Sequence, residues 1–87
     1  MNISESIQTI DKTIQDSHKY QNSGAAIRLL GIQSEVIFYL IEKGELNMGD
    51  SQRKFYEFIT RFNPADLYKV AEHYRKSKGK PSLNFYN

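Results

Sequence analysis

Lys69, His73 and Lys76 stand at i, i+4 and i+7 in one helical register, with Arg75, Lys78 and Lys80 close by. On a helix this spacing builds a basic ridge opposite Leu67, Val70, Ala71 and Tyr74. Such a ridge can follow a phosphate backbone, each Lys or Arg adding sequence-independent affinity by counterion release. It can equally meet an acidic protein surface, and its plainest reading is a solvated face whose cations suit a helix C-terminus. The charge distribution singles out this end of the chain: residues 1–68 hold seven Lys/Arg against nine Asp/Glu, net −2, and residues 69–87 hold five against one, net +4. That basic segment disfavours an acidic DNA mimic or an inhibitor of a basic nuclease, because like charge slows and weakens the encounter.

Other chemistry leaves little trace. His18 and His73 lie in different helices without His-x-x-x-His or Glu-x-x-His spacing, so no metal site is expected. The chain has no cysteine, hence neither a disulfide framework nor a thiolate metal site. Its five glycines, at 24, 31, 44, 49 and 79, fit no phosphate-cradling or dinucleotide fingerprint. No nucleophile with a base and no paired carboxylates are legible, so no enzyme and no cofactor is expected. Tyr39, Tyr56 and Tyr68 are displaced from the main apolar faces. Tyrosine is enriched in protein interfaces, which makes these three candidates for a covered surface beside Lys69, His73, Lys76 and Lys80.

The elements that carry these residues read as helices. The stretch Ala25–Glu42 is apolar or small around nearly its whole circumference, apart from a stripe of Arg28, Glu35 and Glu42 every seven residues. A helix this apolar belongs at the centre of a bundle, with Leu30, Val36, Ile37 and Leu40 expected in the core. Gly24, Ile27, Gly31 and Ser34 make a narrow side that allows a close helix crossing. Before it, Ile3, Ile7, Ile10 and Ile14 form a four-three-four seam, capped by Asn2 and Glu5. The break follows at Gln21-Asn22-Ser23-Gly24, with Ser23 as the next N-cap. Lys43-Gly44 ends the central helix, and Glu45–Asp50 connects it to the next.

Phe55, Phe58, Ile59 and Phe62 then mark a short helix with an aromatic core face. Asn63-Pro64-Ala65-Asp66 starts a fourth with an Asn cap, Pro at N1 and an acid at N3. The corner at Phe62-Asn63-Pro64 is tighter than the three- or four-residue turn of a helix-turn-helix reader, and Gly79-Lys80-Pro81 stops the helix. Leu83, Phe85 and Tyr86 give the short tail its apolar content.

The expectation is one all-α domain over residues 1–87, a four-helix bundle with helices at roughly 3–21, 25–43, 51–62 and 64–78. The start MNISESIQTI lacks the pattern of a signal peptide and no apolar run suffices to span a bilayer, so a cytoplasmic protein with no membrane contact is expected. The leading function is a non-enzymatic adaptor, inhibitor or regulatory subunit that binds another protein. The alternative is a nucleic-acid-binding protein using the last helix and basic tail. The isoleucine seam also leaves a homodimer open.

Overall fold

The computed structural model describes residues 1–20 and 24–82, with side chains described for 1–16 and 27–82. The expected break at Gln21–Ser23, the Ser23 cap, the His18 side chain and the tail from Leu83 lie outside the described residues. Four helices follow in order, α1 (Ile3–Tyr20), α2 (Gly24–Glu42), α3 (Gln52–Ile59) and α4 (Pro64–Ser77). They form a small all-α four-helix bundle with no sheet among the described residues. None of the described helices is long and apolar enough to cross a membrane.

α1 begins at the expected box: the Glu5 N–H donates to Asn2 Oδ1 at 2.9 Å, and the Asn2 N–H donates to Glu5 Oε1 at 3.4 Å. Its seam is used inside the chain. Ile3, Ile7 and Ile10 are buried and Ile14 is half-buried, packed with α2 and α3. The chain just before α1 also clamps the connection between α2 and α3. The Ile3 N–H donates to the Asp50 carbonyl at 2.8 Å, the Gln52 N–H donates to the Met1 carbonyl at 3.0 Å, and Asn2 and Ser51 form an isolated antiparallel bridge.

α2 contributes Val36, Ile37 and Leu40 to the core, each only 1% exposed. Burying side chains of this size stabilises the fold by about 1.5–3 kcal/mol each. Leu30 differs from expectation, being only half-buried at the margin of the core. The narrow side of α2 is covered, with Ile27, Gly31 and Ser34 all buried. Enclosure is incomplete on the opposite quarter, where Leu29 is 55% exposed.

Gly44 ends α2 with φ +77°, and the Glu45 N–H caps the Leu40 carbonyl at 2.9 Å. The following connection holds a core residue that periodicity could not reveal, Leu46, 2% exposed.

α3 is shorter than the expected 51–62. Ser51 caps its start, its Oγ accepting the Arg53 N–H at 3.0 Å. After Ile59 the bonds tighten to the i→i−3 pattern, Arg61 N–H to Phe58 carbonyl and Phe62 N–H to Ile59 carbonyl. The Thr60 hydroxyl meanwhile bonds back to the Glu57 carbonyl. Asn63 must be extended before a proline, and it is, at φ −78° and ψ 159°. Phe55 is buried and Phe58 half-buried, but Phe62 is 42% exposed and lies against Phe58 rather than in the core. Residues 60–63 thus form a four-residue turn. This corrects the tight corner at Phe62-Asn63-Pro64 and removes the objection it raised to a helix-turn-helix arrangement.

α4 starts as expected, with Asn63 Oδ1 accepting the Asp66 N–H at 2.9 Å and Pro64 in the first turn.

Candidate binding surface

The charged stripe of α2 meets α4 residue by residue. The Arg28 guanidinium lies over the Tyr68 ring at 4.8 Å, Arg75 Nη1 donates to Glu35 Oε1 at 2.9 Å, and Lys78 Nζ donates to Glu42 Oε1 at 3.0 Å. The partners advance together along both helices, so α2 and α4 run in the same direction. The stripe is therefore an internal seam. Its middle rung is buried, with side-chain exposures of 10% for Arg75 and 6% for Glu35. Arg75 Nε also donates to the Pro81 carbonyl, which fixes the segment after α4. Glu35 Oε2 is buried without a hydrogen-bond partner, and Lys80 Nζ stands 3.7 Å from Oε1.

This seam redraws the basic ridge. Arg75 does not extend it, because the side chain points inward to Glu35. Lys78 is engaged by Glu42 and Lys80 is drawn towards Glu35. Lys69, His73 and Lys76 remain together on the exposed face of α4. Among the described residues none of these three forms an ion pair. The Lys78–Glu42 bond lowers the Glu42 carboxyl below its ordinary 4.5 and raises the Lys78 ammonium above 10.5. Burial, and then the charge of Glu42, push the Tyr74 hydroxyl up. In the connection that follows α2, the Asn47 N–H, then Lys54, lower the Asp50 carboxyl.

The three tyrosines do not converge. Tyr39 is half-buried in an edge-on contact with Tyr74, ring centroids 6.3 Å apart. Tyr68 is half-buried beneath Arg28. Tyr56 on α3 is 42% exposed, and its hydroxyl accepts from Gln52 Nε2 at 3.1 Å. Tyr68 borders the ridge one residue before Lys69, and Tyr39 shares a small surface pocket with His73, whereas Tyr56 lies away on α3.

Tyr68 and Lys69 instead open onto a feature that residue types alone did not single out. Leu29 and Ile32 of α2 face Pro64, Ala65 and Tyr68 of α4 across an open groove of about 570 Å³, where Arg28 and Lys69 are the two charged residues of the lining. A narrower recess of about 150 Å³ shares Leu29, Ile32 and Pro64 and reaches Phe55 and Ile59 of α3. The signal for the groove lay in α2, whose apolar circumference is wider than its three neighbours cover. Which quarter stayed open depended on where α4 crosses.

Among the described residues no group of three or more His, Asp or Glu side chains is placed to hold a metal ion. Compared with known proteins, the chain matches no family model, no curated protein and no solved structure.

Proposed function

We propose that this chain is a non-enzymatic binding protein, an adaptor, inhibitor or regulatory subunit, that receives an apolar segment of another protein in the groove between α2 and the start of α4. The observation that carries this reading is Leu29, a large aliphatic side chain 55% exposed in the lining of a wide, shallow groove. An exposed leucine by itself is ordinary; one in a groove whose other walls are Ile32, Pro64, Ala65 and Tyr68 is the kind of anchor site that protein interfaces use. Arg28 and Lys69 beside it favour a partner segment carrying acidic residues next to its apolar ones.

Nucleic-acid binding is the second reading, supported by the exposed Lys69, His73 and Lys76 on a helix that follows a four-residue turn. The loss of Arg75, Lys78 and Lys80 to internal acids leaves it fewer phosphate contacts to use.

Affinity purification from the host, with and without nuclease, separates the two. Beside the parent chain it uses Leu29→Asp and the pair Lys69→Ala/Lys76→Ala. A captured protein that survives nuclease and is lost with Leu29→Asp is the expected result. Capture abolished by nuclease, together with duplex binding that weakens steeply with salt and loses about two contacts in the double variant, would replace this reading with the second.

A further inference from the structure

Two exposed side chains of opposite charge, Lys43 and Glu45, flank the glycine that ends α2. Among the described residues neither forms an ion pair. Each is nonetheless held in place. The Lys43 ammonium lies 5.7 Å from the centroid of the Tyr39 ring, a contact that keeps it over the bundle. The Glu45 N–H donates to the Leu40 carbonyl at 2.9 Å, which fixes the point where the Glu45 side chain leaves the backbone.

Both side chains line a pocket of about 330 Å³ between α2, the end of α3 and α4, and this pocket shares no lining residue with the groove at Leu29. Val36, Leu67 and Val70 line it on one side and Phe58 and Phe62 on the other. Val36 is 1% exposed, so the floor reaches the core. Phe62, which the turn at 60–63 leaves outside the core at 42% exposed, leans on Phe58 with ring centroids 5.1 Å apart and makes an aromatic wall. Small-molecule sites occupy about 300–1,000 Å³ and combine a mostly apolar lining with a few polar groups that orient the ligand.

The charges select the ligand. An apolar carboxylate would satisfy Lys43 and meet Glu45 as a like charge, and an apolar amine would do the reverse. A peptide terminus carries only one of the two charges. A free amino acid carries both on a single carbon and leaves its side chain to enter the pocket.

We propose that this pocket binds a free amino acid with an apolar side chain, its carboxylate towards Lys43, its ammonium towards Glu45 and its side chain against Phe58, Phe62 and Val70. Facing phenyl rings favour an aromatic side chain. Because Lys43 and Glu45 are exposed, each charge contact adds little, and the affinity is on the order of 1 mM. Leu29 and its groove play no part, so this site stands or falls independently of the protein-binding reading.

An amide-resolved NMR titration of the full chain tests it with three probes: L-phenylalanine, 3-phenylpropionate, which lacks the ammonium, and phenethylamine, which lacks the carboxylate. Saturable shifts at Tyr39, Phe58, Phe62 and Val70 are expected with L-phenylalanine. Lys43→Met and Glu45→Gln alter exposed side chains and leave the core intact. Lys43→Met should weaken L-phenylalanine and 3-phenylpropionate about twofold to fivefold and leave phenethylamine unchanged. Glu45→Gln should weaken L-phenylalanine and phenethylamine by a similar factor and leave 3-phenylpropionate unchanged. No saturable shift at millimolar probe would overturn the proposal. So would charge variants that weaken all three probes alike or none of them, because the pocket would then take up apolar groups without reading the charges.

Discussion

Arg75 shows how one side chain can change sides in the account of a protein. In sequence it belongs with its basic neighbours; in the fold it is 8% exposed and bound to Glu35. Removing one member of a buried pair leaves the other charge uncompensated, which typically costs about 3–5 kcal/mol, whereas replacing both with apolar groups is often neutral or better. Arg75→Met is therefore expected to lower the urea midpoint sharply, and Glu35→Leu/Arg75→Met to recover most of the loss. Equal midpoints for all three chains would refute an energetic role for the pair. The outer rung behaves differently because it is exposed. Glu42 titrates below 4.5 in the fold, so its contribution is present above that value and is lost as pH falls through its lowered folded value. Lys78 titrates above 10.5, so its contribution is present below that value and is lost as pH rises through the raised one. The stability gap between the parent and Lys78→Met should accordingly be open at neutral pH and close at both extremes, as urea titrations across the range will show. The stripe itself was legible, since Arg28, Glu35 and Glu42 recur every seven residues. Its partners were not, because periodicity orders residues within a helix and says nothing about which stripe another helix will bring to it.

Element boundaries followed local chemistry where local chemistry was strong. Asn2 with Glu5, Asn63 with Pro64, and glycines 44 and 79 all cap the helices whose ends they suggested. α3 failed by three residues because Phe62 kept the aromatic spacing while the backbone answered to Thr60 and to the proline ahead. Leu46 escaped altogether, since a buried residue in a connection has no period to betray it. Two substitutions test this scale. Leu40→Ala, at a site 1% exposed, should cost about 2–5 kcal/mol. Gly44→Ala meets no atom within 4 Å, so its expected loss of about 1–2 kcal/mol is purely the left-handed backbone. Thermal melts of the two chains should rank them in that order.

At the scale of the whole molecule, the bundle is a core with one quarter of its central helix uncovered, and the groove at Leu29 is that quarter. Fold class was readable because each helix repeats its apolar residues at helical spacing; the groove was not, because it is a property of how α2, α3 and α4 are arranged. Ile7, 8% exposed within the core, gives a test of the whole assembly. Ile7→Asp buries a charge, at a cost on the order of several kcal/mol, and should abolish the helical circular-dichroism signal rather than alter the mass of a folded species in sedimentation.

The parallel course of α2 and α4 bears on how the chain is made. Two helices that run the same way cannot be joined as a hairpin, and the Glu35–Arg75 rung closes across 40 positions. During synthesis α2 must wait, its apolar circumference open on the side that α4 will cover, until the last helix has cleared the ribosome. A chain stopped at Phe62 is expected to bind more of an apolar-surface dye than the full chain does; equal dye binding by both would show that α2 finds cover without it.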